Sequence, residues 1–276
     1  MFKIKSISST LIRNQRNIWH AANRTAVSYP NVARALCHMI EDNSFWFKHR
    51  NRCIVEMMRL YPPAGTVFDV GGGNGFVSLA LKNSGIETVL VEPGPEGVEN
   101  AFARGMKPII CSTLEDAEFK PHTIPAIGIF DVLEHIEHDM QFLRLLHGTL
   151  ISGGRIYITV PAYPFLWSDT DTYSGHLRRY TIRLLTQKLE SVGFQVEFDS
   201  YIFWALVVPI FFCRTLLDKV PKKRVKRYSG WQDEMMKSVG SQNRLMMRLL
   251  GIELNMLSHK KSIPFGGSCL VVAKRL

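Results

Sequence analysis

A glycine run flanked by two carboxylates is the part of the sequence best suited to chemistry. Val67-Phe-Asp-Val-Gly-Gly-Gly-Asn-Gly75 sets Asp69, Gly71, Gly73 and Gly75 in a D-x-G-x-G-x-G spacing, with Gly72 and Asn74 between them. Glycine lets the backbone pass close under a ligand, and a helix opening after such a loop offers unpaired N–H groups. A dinucleotide fingerprint needs G-x-G-x-x-G, but the sixth position is Phe76 counted from Gly71 and Ser78 counted from Gly73, so a pyrophosphate turn is incomplete. An acid just before the loop repels a diphosphate and suits a cationic amino-acid group. Glu92, 17 residues past Gly75, supplies a carboxylate that can accept both hydroxyls of a ribose. These groups describe an amino acid joined to a nucleoside.

A second constellation is Phe130-Asp-Val-Leu-Glu-His-Ile-Glu-His138. Asp131 and His135 are four residues apart and share a face if a helix starts there. His135 reads as a general base. Glu134, His135, Glu137 and His138 can also be drawn as a metal site, and acids at a helix start also suit the macrodipole without any chemistry. No metal is expected in preference to the other two readings. A third stretch, Ser168-Asp-Thr-Asp-Thr-Tyr-Ser-Gly-His-Leu-Arg-Arg-Tyr-Thr181, is rich in binding groups. His176 is a second candidate base, and Tyr173, Arg178, Arg179 and Tyr180 are candidates for acceptor binding. Arg178 and Arg179 either clamp an anion or pair with Asp169 or Asp171.

Short apolar runs alternating with helical patterns must position these residues. Thr66–Val70, Thr88–Glu92, Pro108–Cys111, Ala126–Asp131, Arg155–Val160, Gln195–Ser200 and Cys269–Ala273 read as seven strands. Phe76–Asn83, Asp139–Leu150 and a helix capped by Thr181 fall between them. The order is that of an α/β fold with a mostly parallel sheet, whose binding crevice lies at the strand C-termini. Both histidine-bearing stretches follow strands, at that same edge. The expected organisation is a basic arm and helical cap over 1–60, a core over 61–200, an apolar and basic helical insertion over 201–263, and a last core strand over 264–276.

On these motifs the chain resembles a class I S-adenosylmethionine-dependent methyltransferase with a Rossmann-like core, over roughly residues 40–276. The resemblance implies that Asp69 and Gly71–Gly75 wrap the methionyl part of S-adenosyl-L-methionine. It places Glu92 and Pro93 at the ribose, Thr113 and Leu114 beside the adenine, and Asp131 and Val132 facing the sulfur. Ser44-Phe-Trp-Phe-Lys-His-Arg-Asn51 resembles an F-W-F-x-x-R segment that lies over the cofactor in one branch of that family, which implicates Trp46 and Arg50; the same aromatics also read as a hydrophobic anchor. Asp131, His135 and His176 are then the catalytic candidates. The G-H-x-R-R-Y-T stretch is similar to branches acting on glycans, lipids or secondary metabolites. The expected activity is methyl transfer, O-methylation favoured, to a small-molecule, lipid-linked or glycan acceptor.

The chain has 276 residues and a net charge of +10, which raises an RNA methyltransferase as an alternative, with a non-catalytic nucleoside-cofactor-binding protein as another. The place of an N/D-P-P-Y/F amino-methylase motif is taken by Asp131-Val-Leu-Glu, and no aromatic and basic single-strand platform is legible, so nucleic acid is not favoured. The charge sits in an acid-free stretch over 1–40 and in seven basic residues between Arg214 and Arg227. The second cluster follows the apolar run 201–213. Residues 201–227 are therefore either a peripheral membrane anchor that meets an amphiphilic acceptor or a buried segment with a solvated loop. Five scattered Cys without a C-x-x-C pair exclude a disulfide scaffold and suit the cytoplasm, with a peripheral place at the inner membrane face as its variant.

Overall fold

The computed structural model describes residues 4–22, 40–207 and 244–276. In chain order the elements are α1 (Ile4–Ile7), β1 (Ile12–Arg13), β2 (Ile18–His20), α2 (Phe45–Leu60), β3 (Val67–Val70), α3 (Phe76–Asn83), β4 (Thr88–Val91), α4 (Pro95–Ala103), β5 (Ile109–Cys111), β6 (Ile124–Phe130), α5 (Asp139–Thr149), β7 (Leu150–Pro161), α6 (Asp169–Ser174), α7 (Ile182–Ser191), β8 (Phe194–Ile202), α8 (Arg244–Ser258) and β9 (Ser268–Arg275). One sheet contains nine strands, not seven, among the described residues, in the order β1-β2-β5-β4-β3-β6-β7-β9-β8. All seven expected strands are present. The two added ones come from the basic arm, where β1 and β2 form an antiparallel pair and β2 runs parallel to β5, Ile18 opposite Ile109. Alternation is too short there to read: β1 has two residues and β2 three.

The centre of the sheet, β5-β4-β3-β6-β7, is parallel, and β9 inserts antiparallel between β7 and β8. β3 and β4 are buried at every position, as strands covered on both faces must be. One face packs Phe68, Val89, Ile127 and Leu143; the other packs Ile54, Met58, Leu81 and Tyr157. Cys53, Cys111 and Cys269 are free and buried.

The described start of the apolar run, residues 201–207, packs into the core. Tyr201 and Ile202 complete β8, Phe203 is fully buried, and Trp204–Leu206 form a 3-10 turn ending in buried Leu206. The rest of the candidate membrane segment, 208–227, and most of the expected insertion lie outside the described residues. No helix among the described residues is long and apolar enough to cross a membrane.

Candidate active site

The loop between β3 and α3 turns at three left-handed positions, Gly71 (φ 74°), Gly73 (φ 54°) and Gly75 (φ 73°). At Gly71 a Cβ would collide with Val132, and at Gly75 with Ala101. Gly73 differs, because its Cβ would point into open space. That space belongs to a cavity of about 430 Å³ at the C-terminal edge of the sheet, within the usual range for a small-molecule site of about 300–1,000 Å³.

Every residue expected at the cofactor reaches this cavity except Gly75, which caps α3: Asp69, Gly71, Gly72, Gly73, Asn74, Glu92, Pro93, Thr113, Leu114, Asp131, Val132, Trp46 and Arg50. Asp69 is fully buried. Its Oδ2 accepts from Ser78 Oγ at 2.6 Å, and its Oδ1 has no partner. Burial raises its pKa to about 6 against the pull of Ser78 and Arg50. An unpaired carboxylate oxygen at the foot of a glycine cradle fits the ammonium of an amino-acid ligand. Glu92 accepts from Gly73 N at 2.9 Å through Oε2 and from Gly94 N at 2.7 Å through Oε1, so the loop and the strand end hold one another.

Helix α2 forms one wall of the cavity. Phe45, Trp46, Phe47 and Arg50 line the cavity, and Trp46 stacks on Phe203 with centroids 3.7 Å apart. The same helix is pinned from below, as the anchor reading expects. Glu253 of α8 accepts from the backbone N–H groups of Phe203 and Trp204 at 2.8 and 2.9 Å, and it meets His49 Nε2 at 2.6 Å. Arg50 pairs with Asp131, which also accepts from Thr159 Oγ1 at 2.9 Å and holds a left-handed φ of 56°. Asp131 is thus committed to Arg50 and Thr159. Only Leu133–His135 form a 3-10 turn after it, so the expected shared helical face with His135 does not exist.

At the other end, His135 and His176 face each other edge-on, with ring centroids 4.9 Å apart. His176 Nδ1 lies 2.8 Å from Asp171 Oδ1, and Arg179 binds both oxygens of that carboxylate at 2.7 and 2.9 Å. Burial would raise Asp171, but the hydrogen bonds from His176 and Arg179 prevail and hold its pKa at about 2. His135 Nδ1 lies 3.2 Å from Gly175 O, and burial together with His176 lowers its pKa to about 4. Glu134, beside them, is fully buried, and neither of its oxygens has a hydrogen-bond partner. Burial first and Asp131 second push its pKa well above the ordinary carboxylate range.

The expected acceptor-binding residues separate. Arg179 lines the cavity while paired to Asp171. Arg178 turns away to Asp139 and to Glu137 O, and lines a neighbouring hollow. Tyr173 is not among the lining residues. Tyr180 belongs to the core: it is fully buried, and its hydroxyl donates to Asp139 at 2.9 Å. A buried Tyr hydroxyl usually finds a partner inside the protein, so a Tyr in a polar loop gives no warning. Glu41, which accepts from Asn74 at 3.2 Å and pairs with Arg104, lines the cavity and carries no motif in the sequence. Glu115, Glu134 and Asp171 are the other lining carboxylates outside the expected cofactor set.

Two groups of side chains among the described residues bring three ligand-type atoms within 4.8 Å: Glu134 with His135 and His176, and His49 with Cys53 and Glu253. Glu137 and His138, also drawn as ligands from sequence, line the neighbouring hollow.

Comparison with known proteins bears on the family and the fold. A family model described as a methyltransferase domain matches residues 27–197, more than half of the chain. A ubiquinone biosynthesis O-methyltransferase of Xanthomonas campestris pv. campestris is 25% identical over 107 residues, 37% of this chain and 45% of that protein. The chain therefore matches less than half the length of that relative. Among solved structures, an S-adenosylmethionine-dependent methyltransferase from Archaeoglobus fulgidus is 17% identical with a TM-score of 0.51, covering 84% of this chain and all of that one. Phosphoethanolamine N-methyltransferase 2 of Haemonchus contortus, solved with S-adenosyl-L-methionine, is 14% identical with a TM-score of 0.55, covering 89% of this chain and 57% of that one. These likenesses establish the fold, and the family match over residues 27–197 identifies the chain as a member of the methyltransferase-domain family.

Proposed function

We propose that the chain is an S-adenosyl-L-methionine-dependent methyltransferase whose donor lies in the cavity under α2 and whose acceptor enters at the His135/His176 end. The observation that carries this reading is the open cradle at Gly73 beside the unpaired Oδ1 of Asp69, with Glu92 opposite. When bound there, the donor supplies a sulfonium-activated methyl group; an acceptor lone pair takes the methyl, and the C–S bonding electrons stay on sulfur. Asp69 holds the ammonium. Arg50, fixed by Asp131, presents a guanidinium toward a carboxylate, and Glu92 takes the ribose hydroxyls. Trp46 and Phe47 exclude water, which strengthens every charge interaction below them. The chain's main contribution to rate is then alignment of the acceptor atom in line with the methyl group.

O-methylation is favoured by the two imidazoles at the acceptor end, where a hydroxyl must lose its proton as the ether forms. The partial match to an O-methyltransferase points the same way. The acceptor is a small or amphiphilic molecule. A thermal-shift comparison tests the reading, since only a ligand of the folded state raises the midpoint. S-adenosylmethionine and S-adenosylhomocysteine should raise it, NAD should not, and Gly73→Arg, which fills the cradle, should remove the shift. An unchanged affinity in that variant would end the proposal.

A further inference from the structure

We infer that Asp171, locked by Arg179, is a positioning residue that makes His176, rather than His135, the proton acceptor of the transfer step. The two imidazoles are held alike in one respect. His176 Nδ1 lies on Asp171 Oδ1 at 2.8 Å, and His135 Nδ1 lies on Gly175 O at 3.2 Å. An ionised carboxylate and a carbonyl only accept, so each Nδ1 carries its ring's proton and each Nε2 keeps the lone pair. The rings differ in the charge behind them. A buried carboxylate on Nδ1 holds the tautomer and stabilises the imidazolium that forms when Nε2 takes a proton. His176 has that carboxylate, whereas His135 has a neutral carbonyl in its place. Burial, together with His176, also lowers the His135 pKa to about 4, so that ring stays neutral. Centroids 4.9 Å apart leave room for one cation and not two.

Asp171 is built for this task. Its Oδ1 accepts from His176 Nδ1 and from Arg179 Nε at 2.7 Å. Its Oδ2 accepts from Arg179 Nη2 at 2.9 Å, Ser168 N at 2.9 Å and Ser168 Oγ at 3.2 Å. Burial opposes its charge, but these donors prevail and hold its pKa at about 2. The backbone N–H of His176 donates to Asp171 O at 2.9 Å, so one residue fixes both the main chain and the ring of the histidine. On the other side of the ring, Nε2 stands 4.0 Å from Glu134 Oε1, and His176 lines the cavity. Arg179 then acts through Asp171 rather than on the acceptor.

The role in catalysis rests on the methyl-transfer reading; the orientation of the ring does not. In the step, the acceptor O–H bond breaks and its proton passes to His176 Nε2. The oxygen lone pair forms the bond to the methyl carbon, and the C–S electrons stay on sulfur. The imidazolium rests against Asp171 until it gives the proton to water.

Asp171→Asn tests the arrangement by inverting it. The amide oxygen should stay at the Oδ2 position, where Arg179 Nη2, Ser168 N and Ser168 Oγ converge, and turn the NH2 toward His176 Nδ1. That nitrogen must then accept, so the ring proton moves to Nε2 and the base is lost. The measurement is long-range 1H–15N NMR of the full chain labelled with 15N-histidine, in EDTA, with the His176 signals assigned by their loss in His176→Gln. Wild-type His176 should show the Nδ1–H tautomer and Asp171→Asn the Nε2–H tautomer, with His135 Nδ1–H in both. Carbethoxylation of His176 by diethyl pyrocarbonate, which needs the Nε2 lone pair, should be lost in the variant. S-adenosylhomocysteine should raise the thermal midpoint of both proteins, which shows that the variant is folded. A wild-type His176 protonated on Nε2, or a tautomer unchanged in folded Asp171→Asn, would overturn the inference, and the wild-type spectrum decides even where the variant does not fold. The expected tautomers without any S-adenosylhomocysteine shift in the wild type would instead overturn the donor reading alone.

Discussion

Asp69→Asn should make the protein more stable and less able to bind its donor. In the folded chain Asp69 titrates at about 6, against 3.8 for an ordinary Asp, mainly because burial disfavours its charged form. A folded-state pKa above the unfolded one means that the folded chain binds the extra proton. The cost of the charge is therefore fully present above pH 6 and vanishes as pH falls through 6 toward 4. Two pKa units correspond to about 3 kcal/mol at pH 8. The amide removes that cost and can still accept from Ser78 Oγ, but its NH2 replaces an unpaired oxygen with an unpaired donor, worth about 1–2 kcal/mol against it. A net gain of about 1–2 kcal/mol remains at pH 8, shrinking to zero or reversing near pH 4.5. Urea unfolding at both pH values without ligand measures this directly. The same titration with S-adenosylmethionine should show that the wild type gains from the ligand and the variant gains far less. A variant less stable than the wild type at pH 8 without ligand would refute the argument, since it would mean that the Asp69 charge is compensated inside the protein.

Three further outcomes follow from the packing. Glu253→Ala leaves His49 and two backbone N–H groups without their shared partner, and breaking a buried pair in this way should cost about 3–5 kcal/mol, read as a fall in the unfolding midpoint with Trp46 fluorescence shifting as its stack on Phe203 loosens. Gly72→Ala would drive a Cβ to 2.6 Å from Asp69 Oδ2, so it should lose about 1–3 kcal/mol by overpacking and lower donor affinity, both measurable by calorimetry. Thr181→Ala removes the Oγ1 that accepts from Leu184 N at 3.2 Å and should cost about 1 kcal/mol in urea unfolding without altering ligand affinity.

The seven strands and the glycine loop were legible because their signals are local. Buried parallel strands write continuous apolar runs, and a backbone that must turn left-handed three times within five residues writes glycine. β1 and β2 were not legible, since five residues in all carry no period, and their pairing with β5 depends on contacts across the sheet. The N-terminal arm reads only as a basic, acid-free stretch for the same reason. At the site, motif residues on strand ends were found, whereas partners brought together by the fold were not. Asp171 and His176 share a loop in the sequence, but only the fold sets them beside Glu134, and nothing local separates Tyr180 in the core from Arg179 on the cavity wall.

The two ends of the cavity are held in opposite ways, and that difference says how such a protein divides its work. At the donor end the chain leaves one carboxylate oxygen open in a cradle that backbone hydrogen bonds already fix, since Glu92 ties the loop to the strand end at both of its oxygens. The recognition groups there are preorganised and wait for a ligand whose charge completes them. At the acceptor end the outer partners are in place, Asp171 on His176 and Gly175 on His135, while the innermost carboxyl has none. A chain that stabilised only itself would pair Glu134 or replace it with an apolar residue, because an unpaired buried carboxyl lowers stability. Glu134 instead stands unpaired beside two oriented imidazoles, in the same cavity as the glycine cradle. Donor and acceptor-side ligands should accordingly stabilise the protein independently, each adding to the unfolding midpoint when the other is saturating.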